Sequence, residues 1–138
     1  MDKQKILHTF NSLSKNTLMQ TLNIEFVDVT EDSLTAKMPV NSTVHQPYGL
    51  LHGGATAALA ETVGSCASAL FVDTETKIIK GIELSISHLK SIKEGVVYGV
   101  AKQIHKGKTI HLWEIKIFDD EKHLISICKL TNIVLDKK

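Results

Sequence analysis

From Gln46 to Val72 the chain carries one charged side chain, Glu61. The whole sequence is 22% charged, so a stretch of this length would ordinarily hold about six charges. Within it Leu59, Val63, Cys66 and Leu70 recur at i, i+4, i+7 and i+11, a helical stripe. The pattern predicts a helix from Gly54 to Phe71 that ends before the polar run Asp73-Thr74-Glu75-Thr76. Ala, Gly, Ser and Thr fill much of the rest of it, on every side. A helix without a charged face is buried on most sides, so a sheet must wrap around this one. A membrane span is the wrong reading of the same stretch. It is built of small residues and holds His52, Glu61, Thr62 and Ser65, and a charge near a span centre costs roughly 2.5–3.5 kcal/mol.

The surroundings read as strands. Ile24–Val29 and Ser33–Val40 come first, with Glu31-Asp32 at the turn between them, and a loop containing Gln46-Pro47-Tyr48-Gly49 follows. After the helix come Lys77–Ile92, Gly95–His105, Thr109–Phe118 and Leu124–Leu135. Glu94-Gly95, Lys106-Gly107-Lys108 and Asp119-Asp120-Glu121-Lys122 separate them. Strands joined by turns this short are antiparallel. Ile6, Phe10 and Leu13 mark a short amphipathic N-terminal helix. One long helix against about six antiparallel strands is an α+β layer architecture. At 138 residues, the chain reads as a single domain over 1–138.

Composition removes several function classes. A net charge of +1 is too balanced for a nucleic-acid or membrane-surface footprint, so neither partner is expected. All 16 basic residues are Lys. An anion is therefore gripped by ammonium groups and backbone N–H, not by a guanidinium fork. Cys66 and Cys128 are too few for a disulfide framework and read as buried thiols. His-x-His, Cys-x-x-Cys and His-Glu-x-x-His are all missing, a turn separates His105 from His111, and His8 and His123 read as surface residues. No metal is expected. There is no Gly-x-Ser-x-Gly elbow, P-loop or dinucleotide fingerprint. The N-terminus has no continuous apolar run of the signal-peptide kind, so a cytoplasmic location is the expectation.

The chemistry-bearing residues lie in the charge-poor stretch. A helical Glu usually reaches solvent. The helical neighbours of Glu61 are Ala57, Ser65 and Ser68, all small or hydroxylic. A carboxylate among small residues on a buried helix has room beside it for a substrate. At the helix start stands His52-Gly53-Gly54. Glycines admit close backbone approach, and the free N–H groups of a helix N-terminus favour an oxyanion or a phosphate. A Gly-Gly pair alone is a weak signal, since it also serves tight packing. Together with the carboxylate two turns along, it describes acyl chemistry: the N–H donors polarise a carbonyl, and the carboxylate attacks it or activates water.

These residues resemble the hotdog-fold thioesterases. The matching strings are Gln46-Pro47-Tyr48-Gly49-Leu50-Leu51-His52-Gly53-Gly54 and Ala60-Glu61-Thr62-Val63-Gly64-Ser65. They are similar to the branch with an acidic residue on the central helix, which includes 4-hydroxybenzoyl-CoA and 1,4-dihydroxy-2-naphthoyl-CoA thioesterases. The likeness continues through Gly81-Ile82-Glu83, His88-Leu89-Lys90-Ser91, Glu94-Gly95 and Leu112-Trp113-Glu114-Ile115. It implies a hotdog fold and hydrolysis of an acyl-CoA with an aromatic or medium-size acyl group, coenzyme A being part of the substrate and no cofactor needed. Glu61 would be nucleophile or general base. The Gly53 N–H, Gln46 and His52 would polarise the thioester carbonyl, Ser65 would position the carboxylate or water, and His88 would support. Tyr48 would shape the acyl pocket. Lys90 stands where relatives often carry Arg, which keeps a point charge for a CoA phosphate but not bidentate geometry. Lys106 and Lys108 are further phosphate candidates within Lys77–Lys108, which holds seven Lys against two acids; a solvated strand face is the ordinary reading of each. The resemblance also implies a homodimer joined at sheet edges, commonly doubled to a homotetramer, with sites at the dimer interface. The alternative function is a hotdog module that binds acyl-CoA without hydrolysing it. A hotdog dehydratase is disfavoured, since those use a His-centred acid/base pair.

Overall fold

The computed structural model describes residues 1–138. Its elements are α1 (Lys3–Ser12), α2 (Leu18–Thr21), β1 (Glu25–Val29), β2 (Ser33–Val40), α3 (Gly53–Ala69), β3 (Lys77–His88), β4 (Gly95–Lys106), β5 (Ile110–Phe118) and β6 (Leu124–Asp136). The strands form one six-stranded sheet in the order β1-β2-β4-β5-β6-β3, and every neighbouring pair is antiparallel. This is the hotdog arrangement expected from the sequence.

Alternation drives the packing. In β2 every second residue is buried, as in β5, so one face of the sheet is apolar and needs a cover. α3 supplies it. Leu59, Ala60, Val63 and Ala67 are fully buried, in one cluster with Leu34, Met38, Trp113, Ile115, Ile117 and Leu130. Full burial of a Leu or Val contributes roughly 1.5–3 kcal/mol. The approach is close at Gly64, where an added Cβ would stand 2.5 Å from Leu130 Cδ2. α1 packs on β1 through Phe10 and Phe26, whose ring centroids are 5.3 Å apart.

Several elements differ from the sequence reading. α3 begins at Gly53 and ends at Ala69, because Leu70 caps it with its own N–H. β3 stops at His88 and not at Ile92, since the N–H groups of Leu89 and Lys90 both turn to the carbonyl of Ile125. Leu13 falls outside α1 and is 58% exposed; Leu7 and Phe10 do the burying. α2 is an unpredicted element, four residues long and capped by the Thr17 side chain.

The larger correction concerns α3. It is not buried on most sides within the chain. Gly54 and Glu61 are exposed, and Ala57, Ala58, Thr62 and Ser65 are half-buried, so one arc of the helix is open. Nor does Ser68 share the surroundings of Glu61. It is fully buried, and its hydroxyl oxygen lies 2.7 Å from Trp113 Nε1, 2.8 Å from Asn132 Nδ2 and 2.9 Å from His111 Nδ1. β3 is an edge strand with one unpaired side, interrupted by a bulge between Gly81 and Glu83.

Candidate active site

Glu61 stands on the open arc of α3, beside β3. Its carboxylate rests against the backbone of Gly81: a Cβ added there would be 3.2 Å from Glu61 Oε2. The missing side chain at Gly81 is what gives the carboxylate its place. The ion pairs of the chain involve other residues, and Glu61 enters none of them. Along the same arc Ala57, Ala58, Ser65 and Cys66 line a cavity of about 520 Å³, closed on one side by Leu18 and Met19 of α2. Its wall is mostly apolar, with Glu61 as the one charged group. Burial pushes the Cys66 thiol up to about 12, so Cys66 is a neutral wall residue.

A second cavity, of about 300 Å³, lies at the N-terminal end of α3 and is lined by Gln46, Gly53, His88, Lys90 and Ser126 among others. The Gly53 N–H has no acceptor in the chain. Gln46 Oε1 accepts the N–H groups of Tyr48 at 2.5 Å and Leu50 at 3.4 Å, which leaves its amide N–H₂ as the free donor. His88 Nε2 lies where a side chain on Gly53 would begin, 2.7 Å from an ideal Cβ. A side chain at position 53 would therefore displace the imidazole above it. His52 is the N-cap of α3: its Nδ1 accepts the Gly54 N–H at 2.7 Å. The proton of the neutral ring is thereby placed on Nε2.

The structure thus separates two groups that the sequence reading had acting together. Gly53 and Glu61 are eight residues apart on one helix, about 12 Å along its axis. Donors at one end and a carboxylate at the other cannot meet on a single carbonyl within one chain. Gln46, Gly53, His88 and Lys90 share one cavity; Glu61 and Ser65 share the other. Tyr48 is 87% exposed and lines neither. Lys106 lies at the far end of α3, its Nζ 4.4 Å from the ring centroid of Phe71. Lys108 is at that end too, where Lys77 and then Lys108 hold the Asp136 carboxyl below its usual range.

Three features escaped the sequence reading. Gly81 looked like any strand glycine. Leu18 and Met19 carried no signal beyond the Thr17 cap. Ser126 and Asn132 did leave a trace, for they are polar at inward positions of β6, where the alternation calls for apolar residues. Each meets a polar partner: His88 for Ser126, Ser68 for Asn132.

Comparison with known proteins gives a consistent picture. Residues 48–126 match the Thioesterase superfamily. The chain is 40% identical over 134 residues to the 1,4-dihydroxy-2-naphthoyl-CoA hydrolase of Escherichia coli, covering 96% of this chain and 98% of that one. A mutant thioesterase from Pseudomonas aeruginosa has a structure that superposes with a TM-score of 0.93 at 42% identity, covering 95% of this chain and 94% of its own. A thioesterase from Haemophilus influenzae superposes at 0.91 with 37% identity, over 94% and 90% of the two chains. No helix of the chain is long and apolar enough to cross a membrane.

Proposed function

The chain belongs to the thioesterase superfamily, and from that premise we propose that it hydrolyses an aromatic or medium-size acyl-CoA to free acid and CoA at sites built jointly by two copies of itself. The observation that carries this reading is the pairing of Glu61 with Gly81 and of Gly53 with His88. On α3, Ala57 is halfway between Gly53 and Glu61. On β3, Leu84 and Ser85 are halfway between Gly81 and His88. A two-fold axis near both midpoints would join the free edges of two β3 strands. It would also bring Glu61 of one copy to Gly53 and His88 of the other. Closed two-fold pairing is the commonest oligomer geometry, and it would cover an open strand edge. Further doubling to a tetramer would leave each such site intact.

In that arrangement the thioester oxygen is held by the Gly53 N–H of one copy, with the Gln46 amide as a supporting donor, while His52, which caps the helix and lines a separate cavity, would support from there. Glu61 of the other copy faces the carbonyl carbon, as nucleophile or as the base that draws a proton from water, with Ser65 one turn along to hold the water or the carboxylate. Preorganised donors at the place where negative charge develops are commonly the largest catalytic contribution. CoA leaves as its thiol once the tetrahedral intermediate collapses. Neither metal nor cofactor is needed. The apolar wall of Leu18, Met19, Ala57 and Ala58 suits an acyl group of the proposed size, and the name of the Escherichia coli relative carries a bicyclic aromatic one. Lys90, which lines the donor cavity, would meet a CoA phosphate as a point charge. Lys106 and Lys108 would reach one only from the other end of α3.

A thiol-release screen over aryl- and medium-chain acyl-CoA esters tests this. Glu61→Ala is expected to lower kcat by roughly 10²–10⁴, the range for a lost general base. Hydrolysis by that variant at near the native rate would sink the assignment of Glu61. Tight acyl-CoA binding with no turnover by the native protein would favour the binding-module alternative.

A further inference from the structure

Ser126 is fully buried on β6, and its hydroxyl oxygen lies 2.8 Å from Nδ1 of His88. The two residues face each other directly across the β3–β6 pair, so the contact is set by strand register and not by a mobile loop. The opposite edge of the imidazole faces the donor cavity, with Nε2 above Gly53. Which nitrogen of a neutral histidine bears the proton is decided by the hydrogen bond the other nitrogen makes. Ser126 makes no hydrogen bond through its side chain except the one to His88. Were Ser126 to accept from Nδ1–H, its own buried hydroxyl proton would have no acceptor. If it donates, only lone pairs go unused, and under-satisfied acceptors are tolerated more readily than orphan donors. Ser126 therefore donates to Nδ1, and the proton of the neutral ring is on Nε2, beside the free Gly53 N–H.

We propose that Ser126 is a positioning residue: it holds His88 in the Nε2–H tautomer and in the ring orientation that makes Nε2–H and the Gly53 N–H two convergent donors for the thioester oxygen. This rests on the reading of the Gly53 end as the oxygen-holding half of the site. Ser126 acts only through His88 and touches no reacting atom. Its role thus differs from that of His52, whose tautomer is fixed by capping the helix.

The test compares Ser126→Ala, Ser126→Cys, His88→Ala and the double variant, with ring ¹⁵N shifts of His88 recorded in the substrate-free protein. In the native protein the ring is expected to be the Nε2–H tautomer, and in Ser126→Ala a mixture of the two. Ser126→Ala should lower kcat about tenfold, as loss of a partner that orients a functional histidine does, with KM and melting temperature near native. Ser126→Cys keeps a weak donor and should recover part of the rate. Added to His88→Ala, Ser126→Ala should cost nothing more. A native tautomer in Ser126→Ala, or a loss of rate that persists in the His88→Ala background, would overturn the positioning role while leaving the donor site standing. Near-native kcat for His88→Ala would overturn this proposal, while a large loss in Glu61→Ala would keep the thioesterase reading intact.

Discussion

If the donors and the carboxylate of one site come from different copies, two impaired variants should restore each other. Glu61→Gln removes the carboxylate and keeps the shape. Gly53→Ala places a Cβ 2.7 Å from His88 Nε2, so the imidazole must swing off the helix end, and of the donor pair only the backbone N–H remains, displaced from its partner. Each homodimer is then impaired at both sites. In a heterodimer of the two variants, one site inherits both defects and the other inherits neither. Purified through two different affinity tags, that heterodimer should show about half of native turnover per dimer, because one of its two symmetric sites is intact. The gain over either parent would be one to two orders of magnitude or more, given the roughly 10²–10⁴ lost with a general base. Were donor and carboxylate to act from the same chain, every site would contain one defect, and the heterodimer would stay at the residual activity of its parents. That result would refute the shared-site argument, because only the 12 Å separation along α3 obliges two chains to cooperate.

Other consequences concern the core. Ser68→Ala takes away the oxygen that receives the Trp113 and Asn132 donors. Unsatisfied buried groups cost about 1–3 kcal/mol each, so the melting temperature should fall by roughly 10 °C; a drop under a few degrees would mean the network is not holding the helix. Burial keeps His111 below its ordinary range against the opposing pull of the Gly107 carbonyl, with Lys106 and His105 adding to the lowering. The unfolded chain then binds the proton more readily, so this contribution to stability is complete above about pH 6.5 and lost as pH falls below it. Urea midpoints measured from pH 7.5 to 5.5 should decline in the native protein and less steeply in His111→Gln; parallel declines would remove His111 from the account. Cys66 is pushed up to about 12, so it should resist iodoacetamide at pH 8 in the folded protein, and rapid alkylation there would contradict the closed wall beside Glu61.

The six strands could be read from the sequence because each is an alternating or β-branched run bounded by turn residues, and the one long helix because its apolar stripe keeps period over about three turns. α2 could not, since four residues are too few to show a period. The candidate site was legible by residue type and not by arrangement. Gln46, Gly53, His88 and Lys90 do gather in one cavity. Within one chain Glu61 lines the other cavity, a separation the sequence could not show, because helical spacing fixes a side chain's face and says nothing of which neighbour closes over it. The outward turn of Tyr48 was likewise not legible: its loop is pinned by Gln46, and the ring is exposed in the single chain. Ser68 was misread because i+7 lies 20° off the face of Glu61, enough at the helix end for the sheet to claim it.

The shortage of charge that marks this sequence has two separate causes in the folded chain. Toward the sheet, Thr56, Leu59, Ala60, Val63, Gly64, Ala67 and Ser68 are buried by their own chain, and no charge could be paired there. Toward the open side, Ala57, Ala58, Thr62 and Ser65 are only half-buried, and Gly54 is exposed with the His52 ring close beside it. An exposed helix arc ordinarily carries charged residues. Their near-absence along a whole arc, beside an edge strand with a free side, is the composition that the proposed pairing of two copies around a substrate would require. Glu61 against Gly81 is the single charge on that arc, and in the proposed reaction it is the one with a use.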